Sequence, residues 1–254
     1  MLEEKLKVGI FVKRTPVPSF FEPQIMNEII TYIYAHDLDI FLGPEWLFTP
    51  EDRLFSDSEK NALIENIASR TKDKDTLIIP GSIMWEDDNY YYNTTPLIFK
   101  GDVIGETHKF FNGGSSNLAK KRNSKKEWYP EKYVWDAKSE TDRWWDNKKR
   151  AKFREEFPSV FNWKEYKIGV EICADIGTIA NVLGETSLDL YFLVSCGRGL
   201  TSEKLPIKGK SGYGLCSDGD GKSQVFQRIY GEEQNVIRLN PKSELEELHI
   251  YELS

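Results

Sequence analysis

Cysteine is scarce in this chain: Cys173, Cys196 and Cys216 are the only three, and no two of them have a paired spacing. That excludes a disulfide framework and points to reduced thiols in a cytoplasm-like compartment. Long hydrophobic runs are also missing. The longest, such as Leu190–Val194, are strand-sized and far below the ~20 residues of a spanning helix. The start, Met1-Leu2-Glu3-Glu4-Lys5, lacks the basic and apolar stretches of a secretory signal, so a cytoplasmic location is expected. Excess positive charge is absent as well: the formal net charge is -7, which gives no global attraction to nucleic acid or anionic membrane. No internal repeat and no linker are visible.

What is present suits a soluble globular protein. Hydrophobic residues make up 39%, charged residues 30% and aromatics 13% of 254 residues, enough for one large core. Leu6–Val12 reads as a strand, and Pro23–His36, with Ile25, Ile29, Ile30 and Ile33 near helical spacing, reads as a helix. Leu38–Leu42 is a second strand. Ser56-Asp57-Ser58-Glu59 offers N-cap chemistry for a helix to about Thr71. Thr76–Ile83 reads as a buried strand. Tyr90–Phe99 and Val103–Thr107 form two strands around Lys100-Gly101-Asp102.

Tyr166–Ile172 is another buried strand, followed by a helix near Ile176–Leu183. Leu188–Val194, Gly212–Leu215, Ser223–Gln227, Val236–Leu239 and Leu245–Tyr251 complete the strands. Helices alternate with strands early and hairpins dominate late. That mixture predicts mixed sheets covered by helices in a single domain spanning 1–254.

Leu118–Arg154 stands apart. It holds thirteen Lys/Arg against six Asp/Glu, together with Trp128, Trp135, Trp144 and Trp145. Basic and aromatic residues together can mark a nucleic-acid groove. The plainer reading is an insertion whose aromatics pack on the body while its charges stay in water. Mixed signs and the lack of a binding motif favour the second, so nucleic acid is not the expected partner.

Three segments end apolar runs with a reactive side chain: Gly43-Pro44-Glu45-Trp46, Glu106-Thr107-His108-Lys109-Phe110 and Gly169-Val170-Glu171-Ile172-Cys173-Ala174-Asp175. Singly, each has a bland reading. Glu45 is an idle strand-end carboxylate or a desolvated base. Lys109 is a solvated lysine or a fixed cation. Cys173 is an inert buried thiol, or a nucleophile faced by backbone N–H groups at a helix start. His108 is a rival base, but strand alternation sends His108 and Lys109 to opposite faces.

Taken together and in order, these segments resemble the motifs of the nitrilase superfamily, the carbon–nitrogen hydrolases. That family has a strand ending in Pro-Glu, a hairpin ending in Lys, and Gly-Val-x-Ile-Cys-x-Asp. The strand order from Lys7-Val8-Gly9-Ile10 to the C-terminal strands matches too. The resemblance implies an α/β fold: a four-layer α-β-β-α sandwich of two mixed sheets. It implies thiol-dependent hydrolysis of an amide or nitrile C–N bond through a Cys thioester. Cys173 would be the nucleophile, Glu45 the base and Lys109 the stabiliser of the tetrahedral intermediate, with the Ala174 N–H completing the oxyanion site. A second glutamate is implied between the lysine and the cysteine; Glu127 fits, with Glu131 as its rival.

No cofactor or metal is required by the resemblance. The partner is a small amide or nitrile, with no membrane. Acyl transfer to an amine and a non-catalytic binding role on the same fold remain open alternatives. Cys196 and Arg198 follow the strand expected beside that of Cys173, so they are candidate substrate contacts. Arg198 would pair with a substrate carboxylate or lie in solvent. Glu171 has either a structural or a catalytic role. The 118–154 insertion would lie next to the pocket, as a lid or as a limit on the substrate. The family commonly dimerises through helices, which implies a homodimer, yet Thr201–Ser211 leaves little room for the usual helix.

Overall fold

The structure is a computed structural model that describes residues 5–13, 15, 23–129, 155, 158–181, 184–185, 187–208, 210–229 and 236–254. Its first eight strands are β1 (Leu6–Phe11), β2 (Ile40–Leu42), β3 (Phe55–Ser56), β4 (Leu77–Ile79), β5 (Ile83–Asp87), β6 (Tyr90–Phe99), β7 (Asp102–His108) and β8 (Glu127–Trp128). The next six are β9 (Val160–Trp163), β10 (Tyr166–Ile172), β11 (Leu190–Ser195), β12 (Gly212–Asp218), β13 (Gln224–Arg228) and β14 (Val236–Leu239). These six form the second sheet in the order β14-β13-β12-β11-β10-β9. The last two, β15 (Ser243–Glu244) and β16 (Leu248–Leu253), return to the first sheet, where β16 pairs antiparallel with β1. That sheet runs β15-β16-β1-β2-β4-β6-β5-β3, with β7 and β8 both joined to β6.

Each sheet is parallel at its centre and mostly antiparallel beyond it, although β3 runs parallel to β5 and β8 parallel to β6 in the first sheet. β1, β2 and β4 are parallel in the first sheet, and β10, β11 and β12 in the second. The buried faces follow from alternation. Val8, Ile10, Ile40, Leu42, Leu77 and Ile79 meet Ile168, Val170, Leu190, Phe192 and Val194 between the sheets. Each such side chain contributes ~1.5–3 kcal/mol by leaving water. The opposite face of the first sheet is covered by α1 (Pro23–His36) and α2 (Asp57–Arg70), through Ile25, Ile29, Ile33, Leu63, Ile64 and Ile67. α2 starts as its sequence directs: Ser56 Oγ accepts from the Glu59 N–H, and the Glu59 carboxylate accepts from the Ser56 N–H.

The outer face of the second sheet is thinner. Ile179, Leu200, Leu205 and Ile207 cover Tyr191, Leu193 and Cys216. The helical pieces there are α3 (Thr178–Asn181), a single turn, and a 3₁₀ turn at Ser202–Lys204. The short segment after Cys196 therefore carries no long helix among the described residues. Thr76–Ile83 is not one strand either: Pro80-Gly81 break it, and β5 begins at Ile83. No helix among the described residues is long and apolar enough to cross a membrane.

Candidate active site

Glu45 lies just past β2, where the chain turns between the sheets. A Cβ on Gly43 would sit 2.2 Å from the Pro80 carbonyl oxygen, so only glycine lets these two strand ends approach. The Glu45 N–H donates to the Ser195 carbonyl of the second sheet at 3.0 Å. Its own carbonyl accepts from Thr15 Oγ1 at 2.6 Å. The backbone is thus fastened on both sides, and the side chain is fully buried.

Lys109 follows β7, and its N–H donates to the Asn93 carbonyl at 2.8 Å. Its Nζ donates to Glu45 Oε1 at 2.6 Å, with both side chains shut off from solvent. Asn93 Nδ2 donates to the same oxygen at 2.9 Å. Glu45 Oε2 has no hydrogen-bond partner. Burial works against the Lys109 charge, but Glu45, Cys173 and Asp175 outweigh it and raise the lysine above its ordinary value. The ammonium also lies 5.7 Å from the centre of the Trp46 ring. His108 points away as alternation requires: its Nδ1 bonds Thr94 Oγ1 at 2.8 Å, and desolvation and the Lys60 charge hold it down to about 4.

Cys173 opens a 3₁₀ turn, Cys173–Asp175, directly after β10. Its φ of 49° is left-handed, a conformation that side chains adopt at a cost and that recurs at functional sites. Its Sγ donates to the Cys196 carbonyl at 3.8 Å, and the residue is 3% exposed. Burial and the Glu45 charge push the thiol up to about 11, with Lys109 pulling the other way. The resting group is a thiol, so it needs a base to become a nucleophile.

Two buried carboxyls hold this turn. Asp175 accepts from the Phe110 N–H at 2.8 Å and the Phe111 N–H at 2.6 Å, the two amides that follow Lys109. Glu171 accepts from the Gly177 N–H at 2.7 Å, and from the Ile179 N–H and Tyr191 OH at 2.5 Å each. Glu171 is therefore occupied with structure, one of the two roles its sequence position allowed. Burial raises Glu171 to about 7 and Asp175 to about 8, against the pull of their backbone donors. Both values lie above those of the unfolded chain, so the folded state binds more protons between pH ~4 and ~8. The stability these groups lend is full below pH ~4 and is lost as pH rises through about 7 and about 8. Thermal melts should therefore show a fall from pH 6 to pH 8.5 that is smaller in Glu171→Gln. An equal fall in both proteins would remove Glu171 as its source.

The other sequence candidates are placed as follows. Ala174 lies on the nucleophile turn, and a Cβ on Gly113 would come within 2.7 Å of the Ala174 Cβ, so the loop after Lys109 closes over this point. Cys196 is half-buried next to Cys173, with its Sγ donating to the Thr15 carbonyl at 2.9 Å. Arg198 is exposed; its N–H donates to Ser195 Oγ. Glu127 is not brought to the trio. Trp128 turns inward, its Nε1 donating to the Phe110 carbonyl at 3.0 Å, and alternation turns Glu127 to solvent. Glu131 and the insertion from residue 130 to 154 lie outside the described residues, apart from Glu155 just beyond it. Sequence does not single out Asn93, and it places Asp175 in the Cys173 motif without a role of its own. The polar stretch Asn93-Thr94-Thr95 inside the Tyr90–Phe99 run was the available signal for Asn93. Among the described residues no group of three or more His, Cys, Asp or Glu side chains is placed to hold a metal ion.

No family model and no curated protein matches the sequence. Solved structures do match the fold. An amidase from Nesterenkonia sp. superposes with a TM-score of 0.58 at 12% identity, over 98% of this chain and 90% of that one. Other structures of that amidase hold butyramide, or the acetamide moiety of fluoroacetamide bound covalently to the active-site cysteine. The Xanthomonas campestris protein XC1258, a CN-hydrolase superfamily protein, gives 0.55 at 14% identity over 99% and 91%. A glutamine-dependent NAD+ synthetase from Acinetobacter baumannii gives 0.56 at 15% identity; the chain spans only 46% of its length. Two mixed sheets packed face to face, with the Glu45–Lys109 pair and Cys173 at their strand ends, give this chain the same fold as these amidase and CN-hydrolase structures.

Proposed function

We propose that the protein is a thiol-dependent hydrolase of carbon–nitrogen bonds outside peptides, acting on a small amide or nitrile. The observation that carries this reading is the dry Glu45–Lys109 ion pair beside a thiol on a strained turn. Burying two charges is expensive, and a site that only packs would do as well with apolar side chains. A base and a cation beside a nucleophile are what acyl transfer requires.

In an amide substrate, Glu45 Oε2 takes the thiol proton as Cys173 Sγ attacks the carbonyl carbon. Lys109 Nζ and the Ala174 N–H hold the charge that develops on the carbonyl oxygen. The C–N bond breaks and Glu45 returns the proton to the leaving nitrogen. Water, deprotonated by the same carboxylate, then cleaves the thioester and releases the acid. Glu127, exposed on β8, has no step here, and the second glutamate of the resemblance is left without a residue among those described.

The test is ammonia release over a panel from acetamide and butyramide through glutamine to simple nitriles, with Cys173→Ala as control. Release by the wild type alone, with an acyl mass added to Cys173, supports the proposal. Product found only when an amine is supplied would instead favour acyl transfer. No turnover and no adduct across the panel would favour a non-catalytic binding role.

A further inference from the structure

Glu45 has two chemically equivalent oxygens, yet they stand in different surroundings. Oε1 receives both Lys109 Nζ at 2.6 Å and Asn93 Nδ2 at 2.9 Å, whereas Oε2 receives no donor. Two donors draw electron density from Oε1 and occupy its lone pairs, which leaves Oε2 as the oxygen able to accept a proton. Asn93 is buried, at 1% exposure, in the middle of β6, where its backbone pairs with Met84. Its carbonyl accepts the Lys109 N–H. One residue therefore touches the base through its side chain and the cation through its main chain.

We propose that Asn93 is the positioning residue of the Glu45 base, fixing which carboxylate oxygen accepts the thiol proton. Two features separate this role from packing. The amide has one useful orientation, since a flip would set Asn93 Oδ1 against the carboxylate oxygen. Asn93 Oδ1 itself is buried without a partner, an expense that a residue kept only for its shape would avoid. The groups facing Glu45 are Lys109 from the end of β7, Cys173 from the 3₁₀ turn and Cys196 from the end of β11, with Asp175 behind Lys109. Among these, Lys109 is the other nitrogen donor to the carboxylate, so the loss of Asn93 is felt directly.

This inference rests on the proposed thiol chemistry, but its first readout needs no substrate. The rate of Cys173 alkylation by iodoacetamide, followed by mass spectrometry against pH, reports proton removal by Glu45. In Asn93→Ala the acid limb of that profile should move up by roughly one to two pH units, the worth of one hydrogen bond to a charged group. On any amide that is turned over, kcat should fall roughly 10- to 100-fold with KM little changed, because Asn93 does not touch substrate. Asn93→Asp keeps the shape but removes the donor and adds a second carboxyl, so its limb should move further still. A packing role predicts the reverse order, with aspartate restoring the wild type. Wild-type limbs in both variants would overturn the inference whether or not a substrate is known. Should Asn93→Ala fail to fold, Asn93→Asp and Asn93→Ser give the same reading, the serine with a smaller shift.

Discussion

Replacement of Cys173 by alanine is expected to abolish turnover, by ~10⁴-fold or more in kcat, with the fold intact. The effect is large because no other thiol can substitute. Cys216 faces away into the outer core of the second sheet, and burial holds it well above its ordinary value. Cys196 is pushed up to about 12 and bonds the Thr15 carbonyl. The check is kcat on a responsive amide, with loss of the acyl adduct and a melting temperature near that of the wild type. Retained turnover in the alanine variant would end the thiol mechanism. Alanine keeps the left-handed φ of 49°, so Cys173→Gly should be the more stable of the two inactive variants, by about 1 kcal/mol.

Removing Lys109 is expected to give the largest loss of stability at any single site in the trio. Lys109→Met leaves Glu45 buried without its cation, and breaking such a pair costs roughly 3–5 kcal/mol. At ~2–4 °C per kcal/mol for a domain of this size, the melting temperature should drop by about 6–20 °C. The drop should shrink at acid pH, where the stranded carboxyl takes up a proton. kcat/KM should fall by ~10²–10³ as well, the worth of one donor to a developing oxyanion. The double variant Glu45→Gln/Lys109→Met removes both charges and should recover part of the stability but none of the activity. A single variant that melts with the wild type would show that the ion pair does not hold the ends of β2 and β7 together.

The catalytic candidates were legible because each sits at a strand end, and strand ends are marked by where apolar runs stop. Glu45, Lys109 and Cys173 meet in the structure as their order suggested. α1 runs over the same residues the Ile spacing marked, and the Ser56–Glu59 capping signal starts α2 where it stands. The supporting residues were harder to read. The roles of Asn93 and Asp175 depend on what faces them: an amide 65 residues away for Asp175 and a carboxylate 48 residues away for Asn93. Periodicity says that a residue is inward; it does not say what it meets. Glu127 misled for a related reason: spacing between motifs says nothing about face, and the inward turn of Trp128 decides it. The break at Pro80-Gly81 was visible as two turn residues, yet the apolar residues on either side masked it.

Glu45 and Lys109 extend from the first sheet, while Cys173 and the Ser195 carbonyl that holds Glu45 belong to the second. Cys173 lies 64 residues after Lys109 in the chain, and the two meet only once the two sheets have docked. Closing such long loops is slow and comes late in folding. Until docking is complete, Cys173 therefore has neither Glu45 nor Lys109 beside it. Quenched-flow labelling during refolding should find Cys173 fully open to reagent until the final phase and slower to react afterwards, so its protection reports the docking of the two sheets.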